Sequence, residues 1–180
     1  MKSILVLLSF FLATLSAQAQ VDTASLKKKI YASLDSMIVH FDKKEWTKYV
    51  DYMHPKVLEM LGGKDAAAEL IGTQMEALGA GGIIFKPGKV LQLVKTKDGY
   101  QGVIESFLQI TMQGMTIAGS SYDVVNSTDG SKWYFTTIDN AETIKQMLPD
   151  LSADLKLPQK QMQPGITLEE FMKTYEIKYL

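Results

Sequence analysis

Between Asp22 and Phe41 the apolar residues Leu26, Ile30, Leu34, Met37, Ile38 and Phe41 return at every third or fourth position, the spacing of one helical face. The three lysines at 27–29 fall mostly off that stripe and read as a solvated surface. Trp46, Tyr49, Val50 and Met53 repeat the spacing over a second, shorter helix. It must stop at His54, because Pro55 pushes its predecessor out of the α region. Lys56 to Leu61 fits either a turn of helix or a short strand, and Gly62-Gly63 ends it. Lys64 to Leu78 reads as a third helix, with Ala67, Leu70, Ile71, Gln74 and Leu78 along one stripe and Gly79 as its C-terminal cap.

After Gly79-Ala80-Gly81-Gly82 the period changes from that of helices to that of strands. Asp98-Gly99 and Asp129-Gly130 are strong hairpin signals and Gln113-Gly114 is a weaker third. They predict a four-stranded antiparallel meander over residues 83–97, 100–112, 115–127 and 131–138. Pro87-Gly88 marks an edge, a bulge or a bend inside the first strand. Ala141 to Leu148 predicts a helix stopped by Pro149, and residues 155–165 look extended and irregular. Thr167-Leu168-Glu169-Glu170 is a capping box opening a last helix through Tyr179. Helices first and antiparallel strands second give an α+β class, with three N-terminal helices packed on a strongly curved sheet. The domain spans residues 20–140, and 141–180 form a C-terminal extension packing on that domain or on a dimer partner.

Counting outward from three two-residue turns pairs Lys97 with Tyr100, Met112 with Met115 and Thr128 with Ser131. That register places Val90, Val94, Val103, Glu105, Phe107, Tyr122, Val124, Trp133 and Phe135 on one face of the sheet. Leu91, Leu93, Ile104, Leu108, Ile110, Asp123, Val125, Tyr134 and Ile138 fall on the other. Neither row is polar, so both faces are expected to be covered, one by the helices and one by the C-terminal segment or a second copy. Each row carries one carboxylate, Glu105 or Asp123. A carboxylate desolvated among apolar groups has a raised pKa and can act as a general acid or base; a strand-end position or a lysine partner would make it merely structural.

Composition adds address and exclusions. Met1-Lys2, an apolar run from Ile4 to Leu15 and Ala17-Gln18-Ala19 have the layout of a secretory signal, predicting cleavage after residue 19 and a periplasmic or secreted mature chain. No cysteine follows to carry a lipid or a disulfide, so stability is expected to come from a packed core, and no second apolar run is long enough to span a membrane. The 180 residues are 46% hydrophobic and 22% charged, with 19 basic against 20 acidic side chains. Every basic residue is lysine, so the planar fork that grips phosphate bidentately is missing, and nucleic-acid binding is not expected.

Only two histidines, His40 and His54, stand where a metal centre would need several converging ligands, and there is no glycine-rich phosphate loop; neither metal nor cofactor is expected. Gly119-Ser120-Ser121 lacks the frame of a nucleophile elbow and reads as spacing within the sheet. His54, beside Tyr52, is either a site residue or the cap of a helix opened by Pro55. The methionines can line an adaptable apolar pocket or simply fill the core.

A long first helix, Asp42-Lys43-Lys44-Glu45-Trp46 into a second, Tyr52-Met53-His54-Pro55, then Gly62-Gly63-Lys64-Asp65 into a third lead to a meander ending in Trp133-Tyr134-Phe135. In that order, over residues 22–139, these features resemble the nuclear-transport-factor-2-like superfamily, which includes polyketide cyclase-like and ketosteroid isomerase-like proteins, and most of all its small exported bacterial members. The resemblance implies a cone-shaped fold enclosing a pocket, and frequent homodimers through the sheet. It carries no catalytic role over to individual residues. The expected function is an exported, non-enzymatic module that binds a small apolar ligand in the cone or a protein partner across the sheet. The expected lining is Tyr49, Tyr52, His54, Glu105, Phe107, Tyr122, Trp133 and Phe135. Two alternatives stand beside it. One is an acid–base enzyme acting on an apolar carbonyl compound, with Glu105 or Asp123 as base and Tyr122, Tyr52 or His54 as donor. The other is a structural dimerisation module whose pocket is a filled core.

Overall fold

The computed structural model describes residues 22–78 and 82–179, with side chains described as far as Tyr175. The signal segment at 1–19 and the Gly79 cap lie outside the described residues. Helix α1 spans Thr23–Asp42 and is opened by Asp22, whose carboxylate accepts the Ser25 N–H at 3.1 Å. Lys44, at φ +56, turns the chain into α2, Trp46–Tyr49, which tightens into a 3₁₀ turn at Val50–Tyr52. The stretch that fitted either helix or strand is helix α3, Pro55–Met60, followed by α4, Lys64–Leu78. Among the described residues, four helices and a 3₁₀ turn therefore precede the sheet, not three helices. Pro55 is the reason, because at a first helical position its missing N–H costs nothing. Among the described residues no helix is long and apolar enough to cross a membrane.

Strands β1 (Ile83–Thr96), β2 (Gly99–Met112), β3 (Met115–Ser127) and β4 (Tyr134–Thr137) form an antiparallel meander. Helix α5, Ala141–Met147, follows; then β5, Gln161–Pro164, pairs with β3 at Ile117–Ser120, and α6, Leu168–Tyr179, ends the fold. β4 and β5 thus share one edge of β3, β4 along residues 123–126 and β5 along 117–120. The fifth strand comes from the segment whose sequence looked merely extended.

The middle hairpin has the expected register. Gln113 and Gly114, at φ +51 and +80, make a two-residue turn that pairs Met112 with Met115. The flanking turns differ. Lys97 and Asp98 fill the first loop, so Thr96 rather than Lys97 closes the ladder, opposite Gly99. Further along, shifts between Pro87 and Val90 and between Val90 and Gln92 carry Val90 to the face opposite the one its sequence spacing gave, across from Ile104. The backbone groups freed there are taken up by Tyr31 of α1, whose hydroxyl donates to the Gly88 carbonyl at 3.1 Å and accepts the Val90 N–H at 3.2 Å.

The last turn is wider than two residues. Asp129 Oδ1 accepts the Ser131 N–H at 2.7 Å and Ser127 Oγ accepts the Gly130 N–H at 2.9 Å, locking a loop that pairs Asn126 with Tyr134. This one-residue slip exchanges faces for every β4 side chain. Trp133 and Phe135 lie with Asp123 and Val125, and Tyr134 and Ile138 move to the Glu105 face, the reverse of the expected assignment.

Both faces of the sheet are covered. On the inner face Leu26, Ile30, Leu34 and Met37 of α1 pack on Ile104, Val125, Trp133 and Phe135. Leu34 is fully buried, so truncation to alanine there costs about 2–5 kcal/mol. On the outer face Val103, Tyr122 and Val124 meet Ile144, Leu148 and Leu155, while Phe107 and Ala118 meet Leu168 and Phe171. This outer cover is formed by residues of the chain's own C-terminal segment.

Candidate functional site

Ile104 pairs with Asp123 and Glu105 with Tyr122, so strand alternation sends the two carboxylates to opposite faces of the sheet. Both are buried, Glu105 at 3% exposure and Asp123 at 5%. Their surroundings differ.

Asp123 projects inward. Thr137, directly across on β4, donates its hydroxyl to Oδ1 at 2.8 Å, and Ser106 donates to Oδ2 at 3.5 Å. These two bonds favour the ionised form but do not offset the loss of water. Desolvation pushes the carboxyl up to about 6. The carboxyl opens into a cavity of about 210 Å³ between the sheet and the helices. Its walls are chiefly apolar: Met37, Ile38 and Phe41 from α1, Met75 from α4, and Ile83, Phe85, Leu108 and Ile110 from the sheet. Tyr49 of α2 also lines it, and its phenol is pushed up to about 12, first by burial and then by the nearby Asp123 charge. Among the described residues the Tyr49 hydroxyl makes no hydrogen bond. Lys160 stands at the rim, 3.6 Å from Asp139.

Glu105 projects outward, beneath α6. Its Oε1 accepts the Tyr175 hydroxyl at 2.5 Å and the Tyr122 hydroxyl at 3.4 Å, and Ser120 Oγ lies 3.4 Å from the Tyr122 oxygen. Phe107 meets Tyr175 edge to face, with ring centres 5.3 Å apart, and Phe171 stacks beside Tyr175 at 5.8 Å. Burial first, and then the hydrogen bond to Glu105, hold the Tyr175 phenol far above its usual range. The phenol therefore stays a donor at every physiological pH. This arrangement satisfies a buried carboxylate with a side chain from the far end of the chain.

The eight residues expected to line one pocket fall in four places. Tyr49 lines the Asp123 cavity. Trp133, Phe135 and Tyr52 belong to the packed layer between α1 and the sheet. Glu105, Phe107 and Tyr122 lie on the outer face under the C-terminal helix. His54 caps α3, its Nδ1 accepting the Lys56 N–H at 3.2 Å, and it also borders a separate cleft near the β1–β2 turn. Of the two roles that the sequence left open for His54, the hydrogen bond shows the capping one.

Sequence reasoning did not find Thr137, Ser106 and Lys160 around Asp123, nor Tyr175 over Glu105. A signal existed for the last. A glutamate in an otherwise apolar strand row demands a partner, and the only long segment left to bring one was the C-terminal helix. Among the described residues no group of three His, Asp or Glu side chains is placed to hold a metal ion. Comparison of the chain with family models, with curated proteins and with solved structures finds no match.

Proposed function

We propose that this protein, exported and freed of its signal segment, binds a small and mostly apolar molecule carrying one polar group, in the cavity between its N-terminal helices and the inner face of its sheet. The observation that supports this most directly is the position of Asp123, a single desolvated carboxyl in an otherwise apolar wall. A buried carboxyl costs folding free energy unless it is well partnered, and a ligand hydroxyl or amine would add a partner at Oδ2, where Ser106 makes only a long contact of 3.5 Å. Tyr49 offers a second polar contact from the opposite wall. In this reading the sheet wraps the cavity as a cone of the nuclear-transport-factor-2-like kind. The outer face, occupied by the chain's own residues 141–175, is not the ligand's side.

Methionine methyl groups give the test. Met37 and Met75 line the cavity, whereas Met147 and Met172 pack in the clusters on the outer face of the sheet. Titrating indole into protein labelled at the methionine methyls should shift the first pair and leave the second pair in place. If all methyl signals stay fixed, or all move together, the cavity is not a binding site.

A second reading rests on the Asp123 carboxyl titrating at about 6. A base poised near the working pH, facing a phenol, is suited to moving a proton next to a ketone. Incubation with a β,γ-unsaturated cyclic ketone should then give the conjugated isomer, and Asp123→Asn should abolish it. Turnover unchanged in that variant would leave binding alone.

A further inference from the structure

The cavity that Asp123 opens into gathers its polar groups, other than the Tyr49 hydroxyl, where the sheet divides. β4 follows the edge of β3 along residues 123–126 and β5 along 117–120, leaving 121 and 122 between them. The Ile138 N–H donates to the Tyr122 carbonyl at 2.7 Å, and beyond it the chain leaves the ladder for α5. Asp139, just past β4, and Lys160, just before β5, form an ion pair across this fork at 3.6 Å. Ser121, Asp123, Thr137 and Lys160 line the cavity at the fork, and the walls leading away from it are apolar.

The charges at the fork do not balance. Lys160 is held by Asp139, and among the described residues Asp123 is in no ion pair. Its pKa is raised first by desolvation and also by the Asp139 charge, so the charge acting on it is of its own sign. Two carboxylates therefore meet one ammonium at this end of the cavity. A ligand carboxylate or phosphate would add a further negative charge. A ligand hydroxyl would fill a lone pair at Oδ2 and leave the charge uncompensated in a place removed from water. An ammonium supplies both a donor and the opposite charge, and the desolvation of Asp123 is already incurred in the folded protein. The Ser121 hydroxyl makes no hydrogen bond among the described residues and lies on the same face of β3, two positions away, as an acceptor for a second N–H.

The rest of the cavity sets the body of the ligand. A dry cavity of about 150 Å³ holds a benzene ring, and at about 210 Å³ this one has room for such a ring and a short chain. Three rings in its walls, Phe41, Tyr49 and Phe85, favour an aromatic body. We propose that the ligand is an arylalkyl primary amine, with its ammonium between Asp123 and Ser121 at the fork and its ring among the aromatic walls. The inference rests on the cavity reading above and narrows the polar group to a cation.

Three probes share a phenyl ring and a two-carbon chain and differ at its end: 2-phenylethylamine, 2-phenylethanol and 3-phenylpropanoate. Each is titrated into the full mature chain at pH 7.5, and affinity is read from the methyl signals of Met37 and Met75. The amine should bind roughly tenfold tighter than the alcohol, and the propanoate should leave both methyls in place. Asp123→Asn should bring the amine down to the affinity of the alcohol, whose own affinity changes little. In the wild-type chain, lowering the pH from 7.5 to 5 protonates Asp123 and should weaken the amine roughly tenfold. The alcohol, which meets the same Tyr49, Asp139 and Lys160, should keep its affinity. Equal affinity for amine and alcohol, binding of the propanoate, or an amine preference that survives Asp123→Asn would overturn the inference and leave the cavity reading standing. Indole shifting the two methyls while none of the three probes does so would have the same meaning. Silence from indole as well would remove the cavity reading and this inference together.

Discussion

The Tyr175 hydroxyl donates to Glu105 Oε1 at 2.5 Å, joining the C-terminal helix to the centre of the sheet across 70 residues of sequence. Losing this donor leaves a buried Glu105 oxygen with only the longer Tyr122 contact, at 3.4 Å, in a place water cannot reach. Tyr175→Phe keeps the ring against Phe107 and removes only the hydroxyl. It should destabilise the protein by about 1–3 kcal/mol in a denaturant melt. Lys173→Ala, which breaks an exposed ion pair with Glu169 on the same helix, should leave the melt unchanged.

The extension has a second anchor at Gly119. A Cβ built there would lie 1.9 Å from the Gln161 carbonyl oxygen, so β5 can pair with β3 only because position 119 has no side chain. Gly119→Ala should displace β5 while leaving the β1–β2–β3 ladders in place. Limited proteolysis should then cut within residues 150–165 much faster than in the wild-type chain, and an unchanged cutting rate would refute the argument.

Much of the fold was legible because local physics decided it. The α1 stripe, the Gln113-Gly114 turn and the capping box at Thr167 each depend on residues within a few positions of one another. What failed depended on groups far away or on side-chain geometry within a loop. The slip that put Trp133 and Phe135 beside Asp123 follows from Asp129 and Ser127 capturing backbone N–H groups, which the Asp-Gly dipeptide does not reveal. The shift at Val90 is stabilised by Tyr31, nearly 60 residues earlier. As for the candidate site, the sequence located both buried carboxylates and even their opposite faces, because the β2–β3 register was right. It could not say that only Asp123 faces a cavity, since that depends on which cover leaves space.

Asp123 should leave a signature in the pH dependence of stability. Its folded value of about 6 lies above the unfolded 3.8, so between those values the native state binds the proton more tightly. Stability from this group is fully present below about pH 4, falls as the pH rises, and is lost above about 6. Asp123→Asn keeps an oxygen for Thr137 and removes the charge. It should therefore be more stable than wild type at pH 7.5, by about 2–3 kcal/mol, with the advantage vanishing near pH 4. Chemical denaturation at the two pH values measures this, and an advantage independent of pH would assign it to packing.

His54 should show the opposite slope. Burial, and then the Lys56 charge, lower its pKa below the ordinary 6.5, so the unfolded chain takes up the proton first. Its contribution is complete above about pH 6.5 and declines as the pH falls through the lowered folded value. The mechanism is local: Nδ1 accepts the Lys56 N–H that opens α3, and a protonated ring has no lone pair there to do so. Asn is a strong helix cap that does not titrate, so His54→Asn should match wild type at pH 7.5 and surpass it at pH 5. His54→Ala should be weaker than both at pH 7.5, by about 1 kcal/mol. Following the His54 ring protons by nuclear magnetic resonance gives the pKa directly, and a value at or above 6.5 would remove the basis for this slope.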